Sequence, residues 1–313
     1  MSEPTDTVVA VDVGGSGLRL QTYAGSPGPV RTAAGVRVGA GGIDVPALVG
    51  DARRILDDGL TSAAGPPAVV VWSMRGLLFL ADRAEVLRTV VHGLGARRTV
   101  VVSDAVANLV GATGRIGPGA VVAAGTGAVA FGTDFERQWR RVDGWGHVLG
   151  DAGSAAVLGM GGLRAALRAH DGLPDGSPAL LDAATALLGP PETWPRQVMT
   201  TPDAPERLAA VAPLVTAAAA DDPVARDLCA RTGSALAQAL LRAAEGLPSP
   251  SLTATGGLLA APPVVDALDA ALARTGVARS PALGGALDGA LLLARHLLEK
   301  GSVPEHPAYL LAG

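Results

Sequence analysis

The feature that most constrains this chain is a glycine-rich turn between two apolar segments near the N-terminus, residues 8–20, VVAVDVGGSGLRL. Val and Ala dominate the first segment, which runs through Asp12, and Leu18 and Leu20 alternate with polar residues after the turn. Period-two apolar spacing on both sides of a glycine turn predicts a β-hairpin. Because glycine has no Cβ and adopts positive φ at little cost, backbone N–H groups at such a tip can approach a large anion closely.

We interpret the turn residues Gly14, Gly15 and Ser16 as a site for the phosphates of ATP. Asp12 would then hold the hydration shell of Mg²⁺, an ion that usually keeps several waters and takes few protein ligands. The alternative is an ordinary hairpin turn, since glycine turns after strands are common. The stretch is not a Walker loop, because no Gly-Lys-Ser/Thr follows and the next segment has the pattern of a strand.

Composition excludes several classes of function. The 313 residues suffice for two domains, and no uncharged apolar run has the length of a membrane span. A net charge of −4, without a basic stripe, and 3% aromatic residues argue against nucleic acid as a partner. One cysteine, Cys229, excludes an intrachain disulfide and a metal site made mainly of thiolates. The polar, acidic N-terminus does not have the pattern of a signal peptide, so we expect a cytoplasmic protein without a membrane partner.

The remaining patterns predict a mixed α/β chain in which one unit is repeated. Strands are predicted at 30–38, 68–72, 99–102, 120–124, 128–132 and 251–254, and helices at 44–60, 84–94, 104–113, 151–170, 178–188, 204–220, 223–245, 262–274 and 286–300. A proline-rich loop is expected at 189–202. Strand, small-residue turn and strand occur twice, at 8–20 and at 120–132. This predicts an internal duplication of one α/β unit with a cleft between the copies.

Four features follow one another along the chain and together suit one chemistry. They are the DVGGSG turn, Asp104 at the end of a strand, the AAGTGA turn with Gly125, Thr126 and Gly127, and the TATGG turn with Gly256 and Gly257. Phosphoryl transfer from ATP needs turns that hold the phosphates, a turn that admits the adenosine, and a carboxylate that accepts the proton of the attacking hydroxyl.

This order resembles the actin-like, hexokinase-type ATPase superfamily. Within it, residues 143–159, DGWGHVLGDAGSAAVLG, are similar to the Gly-Trp-Gly…Leu-Gly-Asp-Glu-Gly-Ser signature of the N-acetylglucosamine kinase and BadF-type ATPase family. The resemblance implies an α/β fold of two actin-like, ribonuclease H-like domains with a mixed β-sheet each. It further implies a nucleotide cleft between the domains and a helix-rich C-terminal half. The domains would span 1–115 and 116–285, with a C-terminal helix in 286–313 packing back on the first.

The resemblance also implies roles for individual residues. Asp12 with Gly14, Gly15 and Ser16 matches the first phosphate motif, Gly125, Thr126 and Gly127 the second, and Gly256 and Gly257 the adenosine motif. Asp104 matches the catalytic base for the sugar hydroxyl, and Asp151 matches an aspartate that helps to bind the sugar. Arg75, Gly76 and Gly127 are further candidates for sugar contact. The implied protein is a homodimeric carbohydrate kinase that uses ATP and Mg²⁺ to phosphorylate a hydroxyl of an amino sugar such as N-acetylglucosamine or glucosamine.

Three departures from the family pattern concern the sugar half. The loop at 39–43, GAGGI, has no Asn where hexosamine kinases of the family usually carry one, Ala152 replaces the Glu of the signature, and residues 73–76 read Ser-Met-Arg-Gly where small residues are usual. Two alternatives therefore stay open: a BadF-type activator ATPase, and a sugar- or nucleotide-binding regulator without catalysis. Cys229 alone does not supply the iron–sulfur ligands that such activators use.

Several candidates also have a purely structural interpretation. Asp104 and Asp151 both precede predicted helices, where Asp ordinarily serves as an N-cap. Trp145 is expected to pack beneath the cleft wall, His147 to be structural, and Arg19 to be an exposed strand residue.

Overall fold

A computed structural model of the chain describes residues 6–14, 17–35, 38–39, 42–58, 65–77, 82–201 and 203–313. The chain forms two compact units. The first consists of Met1–Pro118, Asp134–Gln138 and Ala282–Gly313, and the second of Gly119–Thr133 and Trp139–Pro281. The functional domain boundaries expected from the sequence, 1–115 with 286–313 and 116–285, stay a prediction.

The strands and helices alternate in the first unit, and helices dominate the second. The strands are β1 Val8–Val13, β2 Leu18–Tyr23, β3 Arg31–Ala33, β4 Val38–Gly39, β5 Gly42–Ile43, β6 Val69–Met74, β7 Arg98–Ser103, β8 Gly119–Ala124, β9 Ala128–Thr133, β10 Trp139–Asp143, β11 Ser251–Thr255 and β12 Leu310–Ala312. The helices are α1 Val45–Asp57, α2 Arg83–Val91, α3 Asp104–Thr113, α4 Ala155–His170, α5 Pro178–Leu188, α6 Trp194–Met199, α7 Ala204–Ala209, α8 Ala212–Ala218, α9 Pro223–Ala244, α10 Pro262–Ala273 and α11 Ala286–Lys300.

The six-stranded and the four-stranded sheet are both mixed, and they share one arrangement of strands. The first has the order β12-β7-β6-β1-β2-β3, and the second has the order β10-β9-β8-β11. In each, an antiparallel hairpin at the start of the unit (β1–β2, β8–β9) is followed by a third antiparallel strand, while a later strand joins the first one in parallel (β6 on β1, β11 on β8). This repeated arrangement agrees with the internal duplication expected from the sequence, and the mixed α/β fold class is confirmed.

Local sequence explains where the main elements begin and what they bury. The Val- and Ala-rich strand β1 is buried along its whole length, as expected for a strand with neighbours on both sides. The Asp44 side chain caps α1 by accepting the N–H of Ala47 at 3.1 Å. In the first unit α11 packs closely on α3, where an added Cβ at Gly111 or Gly289 would overlap the backbone of the other helix. The C-terminal helix therefore belongs to the first unit.

Several segments differ from the sequence-based expectation. The strand expected at 30–38 is ordered as β3 at residues 31–33, and residues 36–37 lie outside the described part. The expected helix 204–220 is divided into α7 and α8, and α6 lies within the expected loop 189–202. Strands β10 and β12 were not predicted. Strand β12 pairs with β7, which is far away in the sequence, whereas β10 pairs with the preceding strand β9 but has no alternation of apolar and polar residues in its sequence, WRRVD.

In the described part of the chain, no single helix has both the length and the hydropathy needed to cross a bilayer. The helices in Ala204–Ala218 and Pro223–Ala244 reach that length and composition only together, and they are bent by 117°. Their apolar side chains, among them Val215, Leu236 and Leu240, belong to the core of the second unit.

Candidate active site

In the first unit, the predicted site residues lie at one edge of the sheet. Strands β1, β6 and β7 are parallel, and their last residues are in register, with Val13 beside Met74 and Met74 beside Ser103. The glycine turn follows β1, the loop with Arg75 and Gly76 follows β6, and Asp104 follows β7. The carboxyl edge of parallel strands is where α/β sheets usually bind ligands.

Asp12 is held by both neighbouring strands. It is only 3% exposed, and its carboxylate accepts a hydrogen bond from the Ser73 hydroxyl at 2.8 Å. The other carboxylate oxygen forms an ion pair with Arg19 of β2. Arg19 is exposed on β2, as expected, and its guanidinium also pairs with Asp12. The hairpin register, which places Arg19 opposite Asp12, is the signal that could have indicated this pair.

The turn after β1 is described at its two ends. The N–H of Gly14 donates to the carbonyl of Gly17 at 2.9 Å, while Gly15 and Ser16 lie outside the described residues. The N–H of Arg75 donates to the carbonyl of Val13 at 3.0 Å and so joins the next loop to the end of β1. The Arg75 side chain is exposed, and Gly76 has a φ of 77°, which favours glycine.

Asp104 is the first residue of α3 and not its N-cap. Ser103 caps the helix, with its hydroxyl 3.4 Å from the N–H of Val106. The half-buried Asp104 carboxylate accepts the N–H of Ala105 at 2.9 Å. At this position the carboxylate lies at the positive end of the helix dipole. The alternative interpretation of Asp104 as the N-cap is wrong, because the hydroxyl one residue earlier takes that role.

In the second unit, the turn of Gly125, Thr126 and Gly127 rests on the start of α4. The carbonyls of Gly125 and Thr126 accept the N–H groups of Ala155 at 2.9 Å and Ala156 at 3.2 Å. In a trans peptide the N–H points opposite to the C=O. The N–H groups of Thr126 and Gly127, which belong to these two peptide planes, therefore point away from α4. Two adjacent N–H groups aimed in this way suit an anion.

The TATGG turn lies beside this turn. Strands β8 and β11 are parallel, with Ala123 paired to Thr255, so both turns follow at the same sheet edge. Gly256 has a φ of 107°, and a Cβ there would overlap the backbone of Ala124. Only glycine permits this approach.

A cavity of about 560 Å³ opens at this edge of the second unit. Gly125, Thr126 and Gly257 line it together with alanine and proline side chains of α8 and α10 and with Leu258. Such an apolar cavity with a few polar backbone groups is typical of a small-ligand site. A larger cavity, about 870 Å³, lies between α4 and α9, and its lining includes none of the predicted site residues.

Asp151 lies behind the same glycine turn. It is 7% exposed with a φ of 56°, its Oδ1 accepts the N–H of Gly146 at 3.0 Å, and its Oδ2 would lie 2.7 Å from a Cβ at Gly127. Burial raises the pKa of Asp151 and nearby Asp143 adds to this, against the lowering effect of hydrogen bonds from backbone N–H groups and of Arg141. Asp151 is not a helix cap, because Ser154 caps α4.

Trp145 does not pack beneath other residues, contrary to expectation. It is 62% exposed, and the Arg141 guanidinium lies 4.9 Å from its ring centroid. Among the residues that the structure describes, no three His, Cys, Asp or Glu side chains come together as a metal site. His147 is half-buried, and its structural role stays a prediction.

Comparison with known proteins agrees with this architecture. A protein from Chromobacterium violaceum described as a candidate N-acetylglucosamine kinase is 24% identical, with a TM-score of 0.72 over 93% of this chain and 100% of that one. A similarly described protein from Porphyromonas gingivalis is 19% identical, with a TM-score of 0.71 over 92% of this chain and 98% of that one. At these low sequence identities, the structural similarity shows that the chain shares the fold of these proteins and no more.

One curated relative matches a shorter segment. The N-acetylmuramic acid/N-acetylglucosamine kinase of Clostridium acetobutylicum is 35% identical over 95 residues, which are 29% of this chain and 31% of the relative. The match therefore spans less than a third of that relative's length.

The fold and the paired glycine turns define an α/β protein of the actin-like sugar-kinase fold. The sequence model of the BadF/BadG/BcrA/BcrD ATPase family matches residues 81–294, more than half of the chain. The chain belongs to this family.

Proposed function

We propose that this protein is an ATP-dependent kinase that transfers the γ-phosphate of ATP to a hydroxyl of an amino sugar such as N-acetylglucosamine. The observation that carries the proposal is the cavity of about 560 Å³ in the second unit, where two side-chain-poor turns meet. Its apolar walls suit an adenine ring, and the N–H groups of Thr126 and Gly127 suit phosphates. Gly256 and Gly257 allow the adenosine to approach the backbone.

The first unit is proposed to supply the metal contact and the base. The Asp12 carboxylate pairs with Arg19 and accepts a hydrogen bond from Ser73, which fits a residue that contacts the waters of Mg²⁺. When bound, Mg²⁺ would neutralise charge on the phosphates. Gly14, Gly15 and Ser16 would hold phosphate oxygens beside it. Asp104 would accept the proton of the sugar hydroxyl as it attacks the γ-phosphate.

The proposal also names the residues that would contact the sugar. Asp151, Gly127, Arg75 and Gly76 are the proposed contacts. The choice of an amino sugar is supported by the names of the Clostridium acetobutylicum relative and the Chromobacterium violaceum protein. From the family resemblance we further propose that the protein is a cytoplasmic homodimer.

The activator ATPase alternative is less well supported. Cys229 is buried in α9, and burial raises the pKa of its thiol to about 11. A buried thiol that resists ionisation is a poor iron–sulfur ligand, because clusters are held by thiolates.

The test is an ATP-consumption screen over glucosamine, N-acetylglucosamine, N-acetylmannosamine, N-acetylmuramic acid and glucose, with Asp104→Asn as the diagnostic variant. We expect turnover of at least one amino sugar by the wild type. Loss of a general base lowers turnover by about 10²- to 10⁴-fold, so Asp104→Asn should fall in this range while its ATP affinity is kept.

Asp82→Asn is the matched control, because Asp82 is also at a helix N-terminus of the first unit, where it caps α2. It should keep full turnover. The proposal is wrong if no sugar is turned over, or if Asp104→Asn turns over as fast as Asp82→Asn.

A further inference from the structure

The residues 143–151, here called the signature loop, are closed by one carboxylate. Asp143 Oδ1 accepts the N–H groups of Gly144 at 2.8 Å and Asp151 at 2.6 Å, and its Oδ2 accepts the N–H of Ala152 at 2.8 Å. Asp143 itself has a φ of 61°. A left-handed backbone is unfavourable for most residues, but Asp tolerates it when its side chain bonds the local backbone. The first residue of the loop thus binds the last one and the residue after it.

Burial does not hold the signature loop in place. Its large apolar side chains are exposed, 62% for Trp145, 79% for Val148 and 83% for Leu149. Inside the loop, the carbonyl of Gly146 accepts the N–H groups of Leu149 and Gly150, which forms a local turn. That turn does not connect the two ends of the loop. The two hydrogen bonds from Asp151 and Ala152 to Asp143 do so, and hydrogen bonds to a charged group are about twice as strong as neutral ones.

The far end of the loop carries the side chain that reaches the glycine turn. Asp151 also has a left-handed backbone, with a φ of 56°, and its carboxylate faces Gly127 and accepts the N–H of Gly146. Its N–H, which fixes the direction of this backbone, is the one that Asp143 binds at 2.6 Å. A change at Asp143 would therefore rotate or release Asp151.

We propose that Asp143 is a positioning residue that holds Asp151 against the glycine turn at Gly127 and so orders the sugar-binding side of the site. The assignment of Asp151 to sugar binding rests on the proposed function. The positioning of Asp151 by Asp143 does not depend on the proposed function, because it concerns only hydrogen bonds within the second unit. Arg141 lies beside this pair, where its guanidinium bonds the carbonyl of Gly144 and stacks on Trp145.

Asp134 provides a matched control. Its Oδ1 also accepts three backbone N–H groups, those of Glu136, Arg137 and Gln138, at the opposite end of the β9–β10 hairpin. Asp143→Asn and Asp134→Asn therefore make the same chemical change in two carboxylate-bound loops. Only the loop that Asp143 closes, the signature loop, ends at Asp151.

The first measurement is amide hydrogen exchange, which does not require activity. In Asp143→Asn we expect the N–H groups of Asp151 and Ala152 to exchange about tenfold faster, since each loses a hydrogen bond to a charged acceptor. In Asp134→Asn, exchange at these two N–H groups should be unchanged. Unchanged exchange at both of them in Asp143→Asn would overturn the proposal.

The second measurement separates positioning from general stability. We expect Asp143→Asn to raise the sugar KM about tenfold with a smaller change in the ATP KM, and the double variant with Asp151→Asn to be no worse than Asp151→Asn alone. Additive effects, or an equal change in Asp134→Asn, would contradict a role through Asp151. If the wild type turns over no sugar, the proposed function fails, and the exchange measurement still decides the role of Asp143.

Discussion

The two glycine turns occupy equivalent places in their units and are supported in opposite ways. Each joins the first two strands of its sheet, and each is closed by a backbone hydrogen bond of 2.9 Å, from Gly14 to Gly17 and from Gly125 to Gly127. The first is flanked by charge, because Asp12 pairs with Arg19 across the hairpin. The second is supported by the backbone of α4 and by Asp151, which comes from outside the hairpin.

This difference fits the proposal that the glycine turns of the two units have different roles in the site. A carboxylate beside a turn suits a hydrated cation. A turn whose carbonyls are taken by a helix presents its N–H groups and suits an anion. In the proposed function the first hairpin would therefore serve the metal and the phosphates beside it, and the second hairpin would serve the phosphates alone.

The largest effect is expected at Gly256, whose turn lies beside the turn of Gly125, Thr126 and Gly127. Gly256→Ala should lower the free energy of unfolding by about 3 kcal/mol or more, because the new Cβ combines a left-handed backbone with overlap of the Ala124 carbonyl. Gly257→Ala is the control, since a Cβ there meets nothing within 4 Å. Urea unfolding of both variants measures the difference. Equal stability would contradict the close approach of the two turns.

The next comparison concerns the turns themselves. In Gly127→Ala the added Cβ would lie 2.7 Å from Asp151 Oδ2, whereas in Gly14→Ala it would lie 3.5 Å from the Gly17 carbonyl oxygen, an ordinary contact. Overpacking costs about 1–3 kcal/mol. We expect Gly127→Ala to weaken ATP binding about tenfold or more and Gly14→Ala to weaken it less, as measured by calorimetric titration. The reverse order would place the main phosphate contact at the first turn.

A smaller effect is expected from the charge beside the first turn. Arg19→Ala leaves the buried Asp12 with the hydrogen bond from the Ser73 hydroxyl of β6 and should cost about 1–2 kcal/mol, reduced from a fully buried pair because the Arg19 side chain is 53% exposed. Arg97→Ala, which removes an ion pair with the exposed Asp6, should cost less than about 1 kcal/mol. Thermal unfolding compares them. An equal loss would mean that Asp12 does not depend on Arg19.

The smallest effect concerns pH. Because burial raises the pKa of Asp151 above its ordinary value of 3.8, its ionised form is less favourable in the folded chain than in the unfolded one. The free energy of unfolding should therefore decrease as pH rises from 3.8 through the raised pKa, a contribution that Asp151→Asn lacks. Melting temperatures of both proteins across this range test the sign. A wild type that gains stability relative to the variant in this window would contradict it.

Much of the fold was predictable because its signals are local. The Val-rich runs became β1, β6 and β7, and the helix expected from residue 44 became α1, which Asp44 caps. The edge strand β12 was missed because its partner β7 is distant in sequence, and β10 was missed because its sequence, WRRVD, has no alternation of apolar and polar residues. The helices α6, α7 and α8 were misassigned, since proline and alanine composition does not fix where a helical segment breaks.

The candidate site divides in the same way. Its glycine turns and Asp104 could be found from residue type and order. A cap role for Asp104 and Asp151 was only an alternative interpretation, and the structure gives that role to Ser103 and Ser154. Spacing alone could not separate these positions, because it does not fix the first residue of a helix.

The sequence by itself determined the alternation of strands and helices, the repeated hairpin and the family, because these depend on periodicity and on residues close together in the chain. Only the tertiary structure decided that Arg19 pairs with Asp12, that α4 turns the N–H groups of Thr126 and Gly127 outward, and that Asp143 holds Asp151. The physical reason is that hydrogen bonds and ion pairs are set by register and packing, which bring together groups that the linear order keeps apart.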